Sequence, residues 1–226
     1  MLVQTALVIF VEIITIKLMI MEGNQLSVGI FIDGGYYAKI NEGLQRLFSK
    51  QLDIKQLFEY MRERIAKKSG SRLEDIHIVE AHFFRGRYRA SDAQDKNLLY
   101  DERLFEDSLI ENDVIFHYKH LRELEKKGGT TVIEKGIDVW FALETYELSM
   151  IRKFDFVILV TGDADHEMLA KKLNALKTKV ILLNWRLDSQ SSTSKLLKEE
   201  VGWHLDLGNE SMADKSLFER ICSSSK

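Results

Sequence analysis

FVILVTGDADHEMLAKKL, residues 156–173, decides how this chain folds. Phe156–Val160 is an unbroken apolar run, which a strand buried on both faces requires. Thr161-Gly162-Asp163-Ala164-Asp165 ends the run with small, turn-forming and acidic residues. Leu169, Leu173 and Leu176 then recur at helical spacing and predict a helix over 166–177. The unit is strand, acidic turn, helix.

Outward from it the same alternation continues. Downstream, 180–183 reads as a strand, 194–200 as a helix, and a short strand falls near Trp203. Upstream, 137–150 reads as a helix and 114–118 as a strand, with a loop over 126–131 around Gly128-Gly129. Residues 91–111 read as mostly helical and 76–82 as a strand. Asp53 caps a helix in which Ile54, Leu57, Phe58, Met61 and Ile65 share one face, and 28–32 is a buried strand leading to a helix over 36–48. Strands alternating with helices define an α/β domain, a mostly parallel sheet of about five or six strands flanked by helices. Such sheets bind ligands in the crevice beyond the carboxyl ends of their strands.

Composition sets the limits. The 226 residues are 45% hydrophobic and 30% charged, a globular balance, and the formal charge of -3 gives no general attraction to nucleic acid. A polyanion would have to be held by local basic patches or through cations. With Cys222 the only cysteine, no intrachain disulfide can form and a cysteine-based zinc site is not expected; a reducing, cytoplasmic setting suits this. There is no proline, so turns are read from Gly, Asn, Asp and Ser alone. Residues 1–21 form an apolar extension interrupted by Gln4, Thr5, Glu12, Thr15 and Lys17. Three readings of it stay open: a dispensable start, with translation from Met19 or Met21; a membrane anchor, for which Glu12 and Lys17 are costly; or an extra packed element. Residues 22–210 form the expected domain and 211–226 a C-terminal tail.

Three acidic stations carry chemistry. Asp33 ends Ile30-Phe31-Ile32-Asp33-Gly34-Gly35; Asp138 lies in Glu134-Lys135-Gly136-Ile137-Asp138, at the first turn of a helix; Asp163 and Asp165 follow strand 156–160. Each acid also has a purely structural reading, as helix cap, first-turn acid or turn residue. Together at one rim they repel one another unless a cation lies between them, and oxygen-only donors suit Mg²⁺ or Mn²⁺ over zinc.

FIDGGYY, EKGIDVWFALETYE and FDFVILVTGDADHEMLAKKL resemble, in order and spacing, the three motif blocks of the NYN family, a branch of the PIN-like nucleases that includes LabA-like members. The resemblance spans about 28–183. It implies a Rossmann-like PIN-type fold and Mg²⁺- or Mn²⁺-dependent cleavage of RNA. Asp33, Asp138 and Asp163 would hold the metal, with Asp165 completing the catalytic cluster. Three positions depart from the family pattern. Gly35-Tyr36-Tyr37 stands where many members have Asn, His166 where an aromatic is usual, and Thr161 replaces Ser.

Candidate substrate-binding residues are Arg85 and Arg87, interleaved with Tyr88 and Arg89 past strand 76–82, together with Lys135, Tyr36 and His166. Lys119, Arg122, Lys126 and Lys127 edge the Gly128-Gly129 loop. His77, His82 and His117 are expected to pack in strands. The expected partners are RNA, single-stranded or structured, and a second copy of the chain. Two other functions compete with the ribonuclease: a non-catalytic RNA-binding or regulatory protein, and a phosphatase of the haloacid dehalogenase type. The latter needs a second acid two residues after its nucleophilic Asp, where this chain has Gly35.

Overall fold

Val28, Ile30 and Ile32 pack on one face of strand β1 (Leu26–Asp33) and Phe31 on the other, so β1 is covered twice and lies inside a sheet. The computed structural model describes residues 25–126, 129–188 and 191–224, and places β1 third in a six-stranded sheet. The other strands of that sheet are β3 (Ile76–Arg87), β4 (Val114–His120), β7 (Phe156–Val160), β8 (Lys179–Asn184) and β9 (Trp203–Asp206). The order is β4-β3-β1-β7-β8-β9 and every pairing is parallel.

Helices cover both faces, as a parallel sheet requires. Helices α1 (Gly34–Phe48) and α2 (Ile54–Ser69) contribute Tyr36, Ile40, Leu44, Leu57, Met61 and Ile65 to one apolar cluster with the even-numbered side chains of β1 and β7. On the opposite face, α5 (Ile137–Arg152), α6 (Glu167–Ala175) and α7 (Lys195–Glu200) bring Phe141, Leu169, Leu173 and Leu197 against Phe31, Val157 and Leu159. Gly29 leaves room for this packing, because a Cβ there would lie 2.7 Å from the Phe154 ring.

The chain first builds the sheet in one direction, β1 to β3 to β4, then crosses α5 and continues the other way through β7, β8 and β9. The strand order therefore reverses between β1 and β7. Ligands of open parallel sheets bind at such a switch point, beyond the carboxyl ends of its strands.

Several expectations are revised. The region 91–111 is two helices, α3 (Ala90–Asp95) and α4 (Leu99–Ile110), broken at Asn97, whose φ of 57° is left-handed. His166, the expected first residue of a helix over 166–177, instead closes a 3₁₀ turn, Ala164–His166, and α6 runs Glu167–Ala175. Strand β3 runs five residues past His82, because Arg85, Gly86 and Arg87 pair with Tyr118, Lys119 and His120. The expected loop over 126–131 is largely an antiparallel hairpin, β5 (Arg122–Lys126) with β6 (Gly129–Ile133).

Nor does the described part of the tail hang free. Helices α8 (Leu207–Ala213) and α9 (Lys215–Ile221) lead to β10 (Cys222–Ser224), which pairs with β2 (Lys50–Leu52) and buries Leu217, Ile221 and Cys222. The extension 1–21 lies outside the described residues. Among the described residues no helix is long and apolar enough to cross a membrane.

Candidate functional site

Asp33 is the last residue of β1, and its carboxylate is held from two sides. One oxygen caps α1, accepting from the backbone N–H of Gly35 at 2.9 Å and of Tyr36 at 3.1 Å. The other accepts from Thr161 Oγ1 at 3.0 Å, across the switch point. Thr161 is fully buried just past β7, and its oxygen is also 3.3 Å from the N–H of Asp163. One threonine hydroxyl thus ties the first acid to the turn that carries the third. Asp163 in turn caps the 3₁₀ turn, accepting from the N–H of Asp165 at 3.0 Å. Asp33 thus caps α1, and Asp163 caps the short 3₁₀ turn rather than the helix that follows it.

Gly162 lets this turn approach the core. A Cβ there would lie 2.6 Å from both the carbonyl oxygen of Ser192 and the ring of Tyr36. Tyr36 is buried, its hydroxyl at 3.1 Å from Ser191 O, Thr193 Oγ1 and the N–H of Trp185. It braces the acidic turn from beneath and has no face left to stack a base.

Asp138 stands in the first turn of α5, where the helix dipole favours an acid. Burial pushes its carboxyl above the ordinary range, as do Asp33, Asp163 and Asp165, while His166 pulls it down. Four acids from three segments therefore share one electrostatic environment. Glu134 joins them. Its side chain accepts from the N–H of Gly86, and burial raises its carboxyl, with Asp33 and Asp138 adding to the rise and Arg85 opposing it. Sequence reasoning passed over Glu134 as a candidate. The available signal was its place four residues before Asp138 in the same motif block.

His166 is 1% exposed, its ring packed 4.5 Å from that of Phe141, and neither ring nitrogen has a hydrogen-bond partner among the described residues. A buried imidazole with both nitrogens orphaned marks a place where a partner is wanted. Beside it, the charges of Asp33, Asp163 and Asp165 raise the pKa of Asp138, and these carboxylate oxygens are the donors a hard divalent cation takes. As the side chains stand, no three His, Cys, Asp or Glu groups among the described residues are arranged to hold an ion, so a cation would have to draw the carboxylates inward.

The basic candidates separate. Arg85 is exposed beside Glu134. Arg87, two residues on, turns to α4, pairing with Glu106 at 2.7 Å and lying over the Tyr118 ring at 4.8 Å. Its charge is already spent on the fold. Lys135 is exposed and, with Arg89, Lys119 and Arg122, lines a separate cavity past the ends of β3 and β4. Lys126 is described only as backbone at the end of β5, and Lys127 lies outside the described residues.

Two comparisons show what this chain is similar to, one in sequence family and one in fold. The NYN domain family matches residues 27–205. A crystal structure of a protein of unknown function from Vibrio parahaemolyticus superposes with a TM-score of 0.53 at 19% identity, covering 81% of this chain and 94% of that one. At that identity the likeness is one of fold. Among curated proteins, none matches.

Proposed function

Because the chain belongs to the NYN domain family, a branch of the PIN-like nucleases, we propose that it is a ribonuclease that hydrolyses RNA phosphodiester bonds with Mg²⁺ or Mn²⁺. The observation that carries this is the convergence of Asp33, Asp138, Asp163 and Asp165 on the switch point, with Asp33 and the Asp163 turn joined through Thr161. Asp33, Asp138 and Asp163 would hold the ion, with Asp165 and Glu134 in support. When bound, such a cation activates water and neutralises charge building on the phosphate.

The chain's own residues supply the rest. Three hydrogen bonds fix Asp33, so its carboxylate does not have to be ordered when substrate arrives. Arg85, which acts on the Glu134 carboxyl, would neutralise a phosphate next to the cut. His166, walled in by Phe141, keeps one edge of the crevice dry. A cytoplasmic setting fits this reading, since the single cysteine is a free, buried thiol.

The test is a panel of single-stranded and structured RNAs cut by wild type and by Asp163→Asn, with Mg²⁺, Mn²⁺ or EDTA. Cleavage that needs metal and is lost in the variant supports the proposal. If the wild type binds RNA and cuts none with either ion, the enzyme reading fails. The second reading, a non-catalytic RNA-binding protein, draws on the absence of a preformed three-ligand cluster among the described residues. Mn²⁺ binding lost on Asp33→Asn would tell against it.

A further inference from the structure

Charges of one sign rarely gather without partners. Elsewhere in this molecule arginines find carboxylates: Arg62 meets Glu59 at 2.9 Å, Arg72 meets Asp75 at 2.8 Å, Arg152 meets Glu80 at 2.7 Å and Arg220 meets Glu63 at 2.8 Å. The corner where β3 and β4 end is different. Arg89, Lys119, His120, Leu121, Arg122 and Lys135 line a cavity of about 320 Å³, and among the described residues no carboxylate lines it. Among the described residues none of the four permanently charged groups, Arg89, Lys119, Arg122 and Lys135, has an ion pair. Lys119 donates a hydrogen bond to the carbonyl of Gly136 at 3.2 Å and sits 5.6 Å from the Trp140 ring, which fixes its ammonium but does not neutralise it.

Three separate segments build the wall. The Arg87 carbonyl accepts from the N–H of Leu121 at 2.8 Å, which closes the corner between β3 and the β4–β5 turn. Lys135 comes from the link between β6 and α5, beside Gly136 at the N-cap of α5. The cavity thus lies past β3 and β4, while Asp33 ends β1, the next strand over. Asp33 is level with Phe84, three residues before the end of β3, so at the usual strand spacing and rise the cavity lies roughly 10–15 Å from the acids.

We propose that this cavity binds the terminal phosphate of a nucleic-acid strand and so anchors a strand end beside the acidic crevice. The proposal takes its substrate class from the ribonuclease reading above. An internal phosphodiester brings one negative charge. A terminal monoester brings roughly 1.5 to 2, and three free oxygens to share among several donors. Four fixed cations around one concavity match the monoester better.

The experiment is equilibrium binding by fluorescence anisotropy, using the Asp163→Asn protein in EDTA so that no strand is cut. One single-stranded RNA sequence is used in three forms: 5′-phosphorylated, 3′-phosphorylated, and hydroxyl at both ends. One phosphorylated form is expected to bind roughly tenfold tighter or more, the worth of a charge-assisted hydrogen bond or two. Which form gains tells which end is held. Arg122→Glu and Arg89→Glu should each collapse that difference, whereas Lys179→Glu, at the opposite end of the sheet, should preserve it. Equal binding of the three forms, binding of none, or a difference that survives both arginine variants overturns the proposal. The outcomes stay separable from the activity, because the measurement needs neither metal nor cleavage. A chain that cuts RNA but ignores its ends fails here alone, and one that prefers phosphorylated ends but never cuts fails only as an enzyme.

Discussion

The acidic crevice and the histidine pair of His82 and His117 sit on neighbouring strands and handle titratable groups in opposite ways. His82 on β3 is 3% exposed, stacked on Phe31, and its Nδ1 lies 2.9 Å from Nε2 of His117 on β4. His117 stacks on Phe84 with centroids 4.4 Å apart. The second nitrogen of His82 faces Glu80, which in turn pairs with Arg152. Here polar groups in the interior answer one another. At the crevice, carboxylates from three segments face one another, and His166 behind them has no partner among the described residues. The first arrangement completes a core; the second leaves like charges and an unpartnered imidazole facing one another, the pattern of a functional site.

Substitutions at the two places should therefore fail differently. The largest effect is expected from Asp163→Asn: RNA cleavage falls roughly 100-fold or more, the scale of losing one preorganised charged group. Its melting temperature should barely move, since Asn still caps the 3₁₀ turn. A large drop in Tm would erase the contrast. His82→Leu should behave the other way. It leaves a His117 nitrogen unpaired and costs about 1–3 kcal/mol in chemical denaturation, while the folded protein still cuts RNA.

Acidification probes the same pair without mutation. Burial lowers the pKa of both imidazoles below the usual histidine value, and for His117 the neighbouring His82 adds to the fall. Glu80 and Glu144 pull His82 back up, and Arg152 opposes them. Below the ordinary histidine pKa of about 6.5 the unfolded chain takes up protons that the folded one refuses. Stability from this pair is thus complete above that pH and is lost as the pH falls through the lowered values. Urea midpoints measured between pH 7.5 and 5.5 should decline in wild type and decline less in His82→Leu. The smallest effect is expected at Arg85. Arg85→Ala should weaken RNA binding a few-fold, more at low salt than at high, with Tm unchanged, because the side chain is exposed.

Much of this was legible in the residues. The run Phe156–Val160 fixed β7 to the residue, because a strand covered on both faces leaves no polar position to blur its ends. Asp33 and Asp163 stood out for a related reason, glycine and acid at a strand end against an apolar run, whereas Asp138 stood out only within its motif block. Long-range pairing was not. Arg85 and Arg87 look like a loop, yet β4 keeps them in a strand, and Glu106 on α4 decides that Arg87 serves the fold. The β5–β6 hairpin has too short an alternation to override the loop signal of Gly128-Gly129. Glu134 becomes a neighbour of Asp33 only once the chain has folded past Gly86. His77, expected in a packed strand, does lie in β3 but is exposed. Tyr36 reads as a stacking platform until its hydroxyl is traced to the 191–193 turn.

The pairing of β10 with β2 makes a chemical clock of the molecule's one thiol. Cys222 is 2% exposed opposite Leu52, and burial pushes its pKa up to about 12, so almost no thiolate exists at neutral pH while the two strands stay joined. Alkylation under native conditions can then proceed only through the moments when that seam parts. Its rate counts those openings directly, and comparing it with the rate of global unfolding tells whether the seam opens by itself or only with the whole sheet.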